Sequence, residues 1–149
     1  MARRPDAERL AVWRSFTEAH ARVSAKLARE LEDETELPLS WYEVLGQLVD
    51  AGGRLRMQEL AQRTVTNKSS LTRLVDRLED EGYVEREACA ADGRGQFAVL
   101  TKDGRAAFRA AQPAHLHGVQ REFAQHLTDT DVAALQRVLA KLNGDRQPA

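Results

Sequence analysis

Apolar residues recur at helical spacing along most of this chain and give way to strand-like segments in one place. Val12, Phe16, Ala19, Val23 and Leu27 return every three or four positions, with Asp6 placed to cap the start just after Pro5. That pattern predicts a long helix over 6–33. The acidic run Glu30 to Glu36 leads into Leu37-Pro38-Leu39, a break. Ser40-Trp41-Tyr42-Glu43 has the S-x-x-E form of a capping box and predicts a second helix, ending at Gly52-Gly53. A short third helix is expected around Met57 to Arg63, with Leu60 and Ala61 inward.

The next segment, NKSSLTRLVDRLEDEGYVE over 67–85, places Leu71, Leu74, Val75 and Leu78 at i, i+3, i+4 and i+7. They form one stripe of a fourth helix, closed by Gly82. The period then changes. Tyr83 to Ala88 and Gln96 to Leu100 read as two short strands, joined by a loop containing Asp92-Gly93-Arg94-Gly95. Thr101 begins another long helix reaching about Leu127, which Pro113 is expected to kink or split. Thr128-Asp129-Thr130-Asp131 resembles a capping box with Asp in place of Glu, and opens a last helix bearing Val132, Leu135, Leu139 and Leu142.

The predicted fold is therefore mainly α with a small β-hairpin wing, in a single domain over 1–149. A self-contained middle block, 55–100, is flanked by helices over 6–51 and 101–143. The flanking seams need something to cover them, and are expected to pack together and against a second copy.

Composition narrows the picture only slightly. The 149 residues suffice for one real core, and 42% hydrophobic with 30% charged residues is ordinary for a globular protein. No stretch approaches the ~20 apolar residues of a membrane span, and Arg3-Arg4 is not followed by an apolar run, so a cytoplasmic location without membrane association is expected. The single cysteine, Cys89, fits a reducing compartment. The net charge of −1 means that any attraction for a polyanion must be local.

Such a local concentration exists. From Arg63 to Arg77 the chain carries Arg63, Lys68, Arg73 and Arg77 against the single acid Asp76, a net of +3. Projected on a helix, the side opposite the leucine stripe is centred on Ser69, Arg73, Asp76 and Arg77, with Ser70 and Thr72 flanking. Most polar stripes are simply solvated. This one has small hydroxyls that permit close approach, a helix N-terminus that favours phosphate, and arginines able to donate two hydrogen bonds to a guanine edge. A hairpin directly after it, with Arg94 at the tip and Asp92 able to hold that guanidinium, suits the minor groove. Asp76 is expected to orient Arg73 or Arg77 through an intrahelical pair.

The run ELAQRTVTNKSSLTRLVDRLEDEGYVERE followed by ADGRGQFAVLTKDGR resembles the winged helix-turn-helix of the MarR family of transcriptional regulators. The middle block matches closely, through the recognition helix, the D-x-R wing and the L-T-x-x-G that follows. The flanking helices match in order and length. Three positions depart from the family pattern: Thr64-Val65-Thr66 replaces a turn that often contains Gly, Arg56 stands where a Ser or Thr cap is common, and Gly93 stands where a second wing arginine is common.

The resemblance implies a homodimer joined by its terminal helices and bound to a pseudo-palindromic double-stranded DNA operator, usually as a repressor released by a small ligand. It implies that Lys68, Ser69, Ser70, Thr72, Arg73 and Arg77 serve the major groove or its phosphates, and that Asp92 and Arg94 serve the wing. It also implies an effector crevice between the two lobes, with Trp13, Phe16, His20, Trp41 and Tyr42 as candidate lining, for a phenolic, purine or carboxylate compound. Ordinary packing would explain the same aromatic residues.

Two other readings compete. Oxidation of Cys89 could move the wing and make the protein a redox-sensing regulator, with Arg86 or Arg94 as local helpers of the thiolate. Alternatively, the winged helix could be a protein-interaction module with no DNA role. His20, His115, His117 and His126 have no chelating spacing, so neither metal nor cofactor is expected. No phosphate loop, nucleophile elbow or H-E-x-x-H occurs, and an enzyme is not expected.

Overall fold

The computed structural model describes residues 3–89 and 95–144. Helix α1 (Ala7–Thr35) is followed by α2 (Leu39–Asp50), strand β1 (Arg54–Arg56), α3 (Met57–Arg63) and α4 (Lys68–Asp80). Strands β2 (Val84–Ala88) and β3 (Gln96–Leu100) then lead to α5 (Lys102–Glu122), a short 3-10 turn (Ala124–His126) and α6 (Asp129–Asn143). The sheet is antiparallel in the order β1-β3-β2, with Leu55 opposite Ala98 and Arg86 opposite Ala98 from the other side. Strand β1 was not expected: three residues, with Leu55 alone turned inward, are too short to show a period.

One core joins the end of α1, α2, the sheet, α3, α4 and α5. Leu45, Leu48, Leu60, Val75, Leu78, Val84 and Ala98 have no exposed surface at all. Leu71, Val75 and Leu78 deliver the buried stripe of α4, while Leu74 is only half-buried. Gly82 takes a positive φ of 78°, which ends α4 and turns the chain into β2.

Two predicted features formed differently. No capping box forms at Ser40: α2 starts at Leu39, and the amides of Trp41 and Tyr42 donate to the carbonyl of Pro38 instead. Proline fits at such a start because it lacks only a donor that the first turn leaves unused. Nor does Pro113 split α5, which runs unbroken to Glu122. Pro113 and Arg109, whose carbonyl loses its i+4 donor, are both exposed, so water can satisfy that oxygen. The break comes at Phe123, where the backbone leaves the helical region. At Thr128 the expected capping box does form, with Thr128 and Asp131 bonded reciprocally.

Helices α1 and α5 run against each other. Lys26 pairs with Glu122 at 3.0 Å, Arg121 with Glu30, and Gly118 allows the close approach of Leu27. Leu31 is the one fully buried residue of α1, and α6 has none. Leu10, Val12, Trp13 and Phe16 of α1, Leu116 of α5, and Val132, Val138, Leu139 and Leu142 of α6 are exposed. Among the described residues, no helix is long and apolar enough to cross a membrane.

Candidate nucleic-acid interface

The site is built on α3, α4 and the hairpin. Its turn, residues 64–67, contains no positive φ, which explains why Thr64-Val65-Thr66 can stand where glycine is common. The Thr64 hydroxyl donates to the carbonyl of Leu60 at 3.1 Å and finishes α3. At the start of α3, Arg56 offers no side-chain cap; it lies 3.8 Å from Glu59 instead.

Asn67 caps α4. Its side-chain oxygen accepts from the Ser70 amide and from the Ser69 hydroxyl, both at 2.9 Å. These two bonds order the first turn of the helix. The Thr72 hydroxyl donates to the Lys68 carbonyl at 3.0 Å. Lys68, Ser69, Ser70, Thr72, Arg73 and Arg77 are all exposed, so all six lie together on one uncovered surface of α4. Among the described residues, no carboxylate lies within ion-pair distance of Lys68, Arg73 or Arg77.

Asp76 is placed differently from the intrahelical pair expected of it. It bonds Arg86, which reaches across from β2. The same guanidinium lies 3.4 Å from Glu79 and donates to the Thr72 carbonyl at 3.1 Å. Sequence reasoning overlooked this role of Arg86, although a signal was present: Arg86 shares the inward face of β2 with buried Val84, and a charge on that face requires a partner.

On the outer face of the sheet, Arg54 pairs with Glu87 at 2.9 Å, and both Arg54 and Arg56 lie over the Phe97 ring, at 4.0 and 5.4 Å. The hairpin narrows toward its tip through the Cys89 amide and the Gly95 carbonyl, 3.4 Å apart. Cys89 is buried, 5% exposed. Asp92 and Arg94, with Gly93 between them, lie outside the described residues.

The five aromatic and imidazole candidates do not gather into one cavity. Trp13 and Phe16 touch each other on the exposed part of α1. His20, also exposed, is 3.4 Å from Ser24. Tyr42 is built into the core, between Phe108 and His115 with ring centroids 4.7 and 4.5 Å away; burial raises its hydroxyl above the usual tyrosine range, with Asp50 adding to the effect. Trp41 meets Tyr83 edge-on and lines a groove of about 420 Å³ with Glu36, Leu37, Pro38, Glu81 and Ala107 among its walls. His115 is held below its ordinary value by desolvation, and its buried Nδ1 has no hydrogen-bond partner among the described residues.

A helix-turn-helix whose second helix is exposed and capped, preceded by a short strand and followed by a hairpin that pairs with it, defines a winged helix-turn-helix protein. The MarR family model matches residues 35–95. The fold closely follows that of Sco3205 from Streptomyces coelicolor, a MarR family transcriptional regulator whose structure was solved in complex with DNA. The TM-score is 0.87 and the identity 35%, covering 100% of this chain and 94% of that one. AbsC, a MarR family transcriptional regulator from the same organism, aligns with a TM-score of 0.84 at 32% identity over 95% of each chain. The HTH-type transcriptional regulator TcaR of Staphylococcus aureus is 28% identical over 123 residues, 81% of this chain and 80% of its own. The chain belongs to the MarR family of transcriptional regulators.

Proposed function

We propose that this protein is a sequence-specific double-stranded-DNA-binding regulator that acts as a homodimer on a pseudo-palindromic operator, most simply as a repressor released by a small ligand. One observation carries the reading: α4 presents Arg73 and Arg77 on an exposed, capped face beside a hairpin, with no ion-pair partner among the described residues. Sco3205, similar over 94% of its length, was solved in complex with DNA, which supports DNA as the partner. Arg73 and Arg77 are assigned to bases or phosphates, Lys68, Ser69, Ser70 and Thr72 to close approach and phosphates, and Asp92 and Arg94 to the wing.

The exposed apolar residues of α1, α5 and α6 support the dimer, since so many large apolar side chains left uncovered on the terminal helices call for a partner surface. Two-fold symmetry would set the recognition helices about one helical turn of DNA (~34 Å) apart. A ligand that favours another spacing lowers operator affinity by population shift. The groove beside Trp41 joins the α1–α2 connection, α5 and the base of the hairpin, and suits that coupling. Phenolic and purine compounds fit it better than carboxylates, given Glu36 and Glu81 in its wall.

Selection from random duplex DNA defines the site and tests the reading. Arg73→Ala should then cost roughly 1–3 kcal/mol and relax preference at the base it reads. Wild-type affinity in both Arg73→Ala and Arg77→Ala would remove this face from the DNA interface.

A further inference from the structure

We infer that Arg86, on β2 and outside the DNA-facing surface, is a positioning residue that keeps Arg73 available for base reading by holding Asp76 away from it. The inference rests on the DNA-binding reading above. Thr72, Asp76 and Glu79 are spaced i, i+4, i+7 and form the edge of α4 next to β2. Arg86 engages all three through one guanidinium: it bonds the Asp76 carboxylate, donates to the Thr72 carbonyl at 3.1 Å, and lies 3.4 Å from Glu79. Its backbone amide also donates to Glu79, at 3.0 Å. The Arg86 side chain is only 15% exposed, whereas that of Asp76 is 55% exposed. The cation is thus built into the fold, and the acid it restrains stands at the edge of the basic face.

Two consequences follow. An anion on the groove side of a recognition helix repels phosphate, and pairing with Arg86, which Glu79 shares, offsets part of that charge. Asp76 also lies three residues after Arg73, a spacing at which side chains on a helix meet. Without Arg86, Asp76 would pair with Arg73 and draw its guanidinium away from the base edge. The contacts to Thr72 and Glu79 additionally fix α4 to the first strand of the hairpin, so the helix and wing approach DNA as one unit.

The test is a double-mutant cycle on the selected duplex, using Arg86→Gln, Asp76→Asn and the combination, with thermal unfolding of each. Arg86→Gln keeps an amide that can reach the Thr72 carbonyl, and Arg86→Lys provides a conservative, charge-retaining companion. Arg86→Gln should weaken binding about tenfold and flatten preference at the base read by Arg73. Adding Asp76→Asn should restore most of both, and Arg86→Lys should stay within about threefold of wild type. A merely structural role predicts otherwise: Asp76→Asn would restore neither affinity nor base preference, and that result overturns the inference. Wild-type binding by Arg86→Gln overturns it as well. Failure of the wild-type protein to bind any duplex would instead refute the DNA-binding reading on which it rests.

Discussion

Gly104, in the first turn of α5, is the position where one methyl group should be felt throughout the winged lobe. A Cβ placed there would stand 2.1 Å from the carbonyl oxygen of Tyr83 and 3.0 Å from a methyl of Leu100. The nearer obstacle is backbone and cannot swing aside. Ordinary contact would require α5 and the start of β2 to separate by about 1 Å. Two bonds cross that junction: the Thr101 hydroxyl to the Gly82 carbonyl at 2.6 Å, and the Thr101 amide to the Tyr83 carbonyl at 3.1 Å. Overpacking of this kind costs about 1–3 kcal/mol, and weakening those bonds adds about 1 kcal/mol. Gly104→Ala should therefore lose about 2–4 kcal/mol, or roughly 4–16 °C in Tm for a chain of this size at fixed protein concentration. Urea unfolding and thermal melts measure it. A loss below ~0.5 kcal/mol would refute the argument that this glycine is held by contact with the base of the hairpin.

Three further outcomes are expected. Asn67→Ala should cost about 1 kcal/mol of stability by uncapping α4, and should weaken operator binding more than Asn67→Ser, which keeps a capping oxygen; calorimetry and a binding isotherm compare them. Leu139→Asp combined with Leu142→Asp changes residues that are exposed within one chain, and should yield monomers by light scattering while helical content persists; an intact dimer would move the interface elsewhere. His115 titrates below its unfolded value, so on acidification the unfolded chain takes up its proton first, and stability is lost as pH falls through about 6.5 toward the lower folded value. Urea unfolding at pH 7.5 and 5.5 should show a larger loss in wild type than in His115→Phe.

Most of the fold was legible because its signals are local. The stripe Leu71, Val75 and Leu78 fixes the inner face of α4, and what lies opposite must be the exposed face. Met57 and Arg63 bound α3 as expected, and Thr128 and Asp131 form their box. Errors arose where tertiary contact or solvent decides. The Ser40 signal lost to an earlier start at Pro38, Pro113 was tolerated on an exposed helix face, and β1 exists only because β3 offers it an edge. The candidate DNA face shows the same division. Exposure of Lys68, Ser69, Ser70, Thr72, Arg73 and Arg77 could be read from periodicity. The inward face of β2 signals that Arg86 needs a partner, but periodicity does not name Asp76, ten residues away and met only once the chain has turned at Gly82. Aromatic residues on α1 and α2 carried less information still: Tyr42 serves the core, Trp41 a groove, and Trp13 an open surface.

The central claim, that the exposed face of α4 binds DNA through its arginines, is tested most directly by the salt dependence of affinity for the selected duplex, wild type against Arg73→Ala and Arg77→Ala. Wild-type affinity should fall steeply and linearly in log–log form as salt rises. A variant that has lost a phosphate contact should reduce that slope by about one, and a variant that has lost a base contact should relax sequence preference. A shallow wild-type slope, or slopes and preferences unchanged in both variants, would contradict the account.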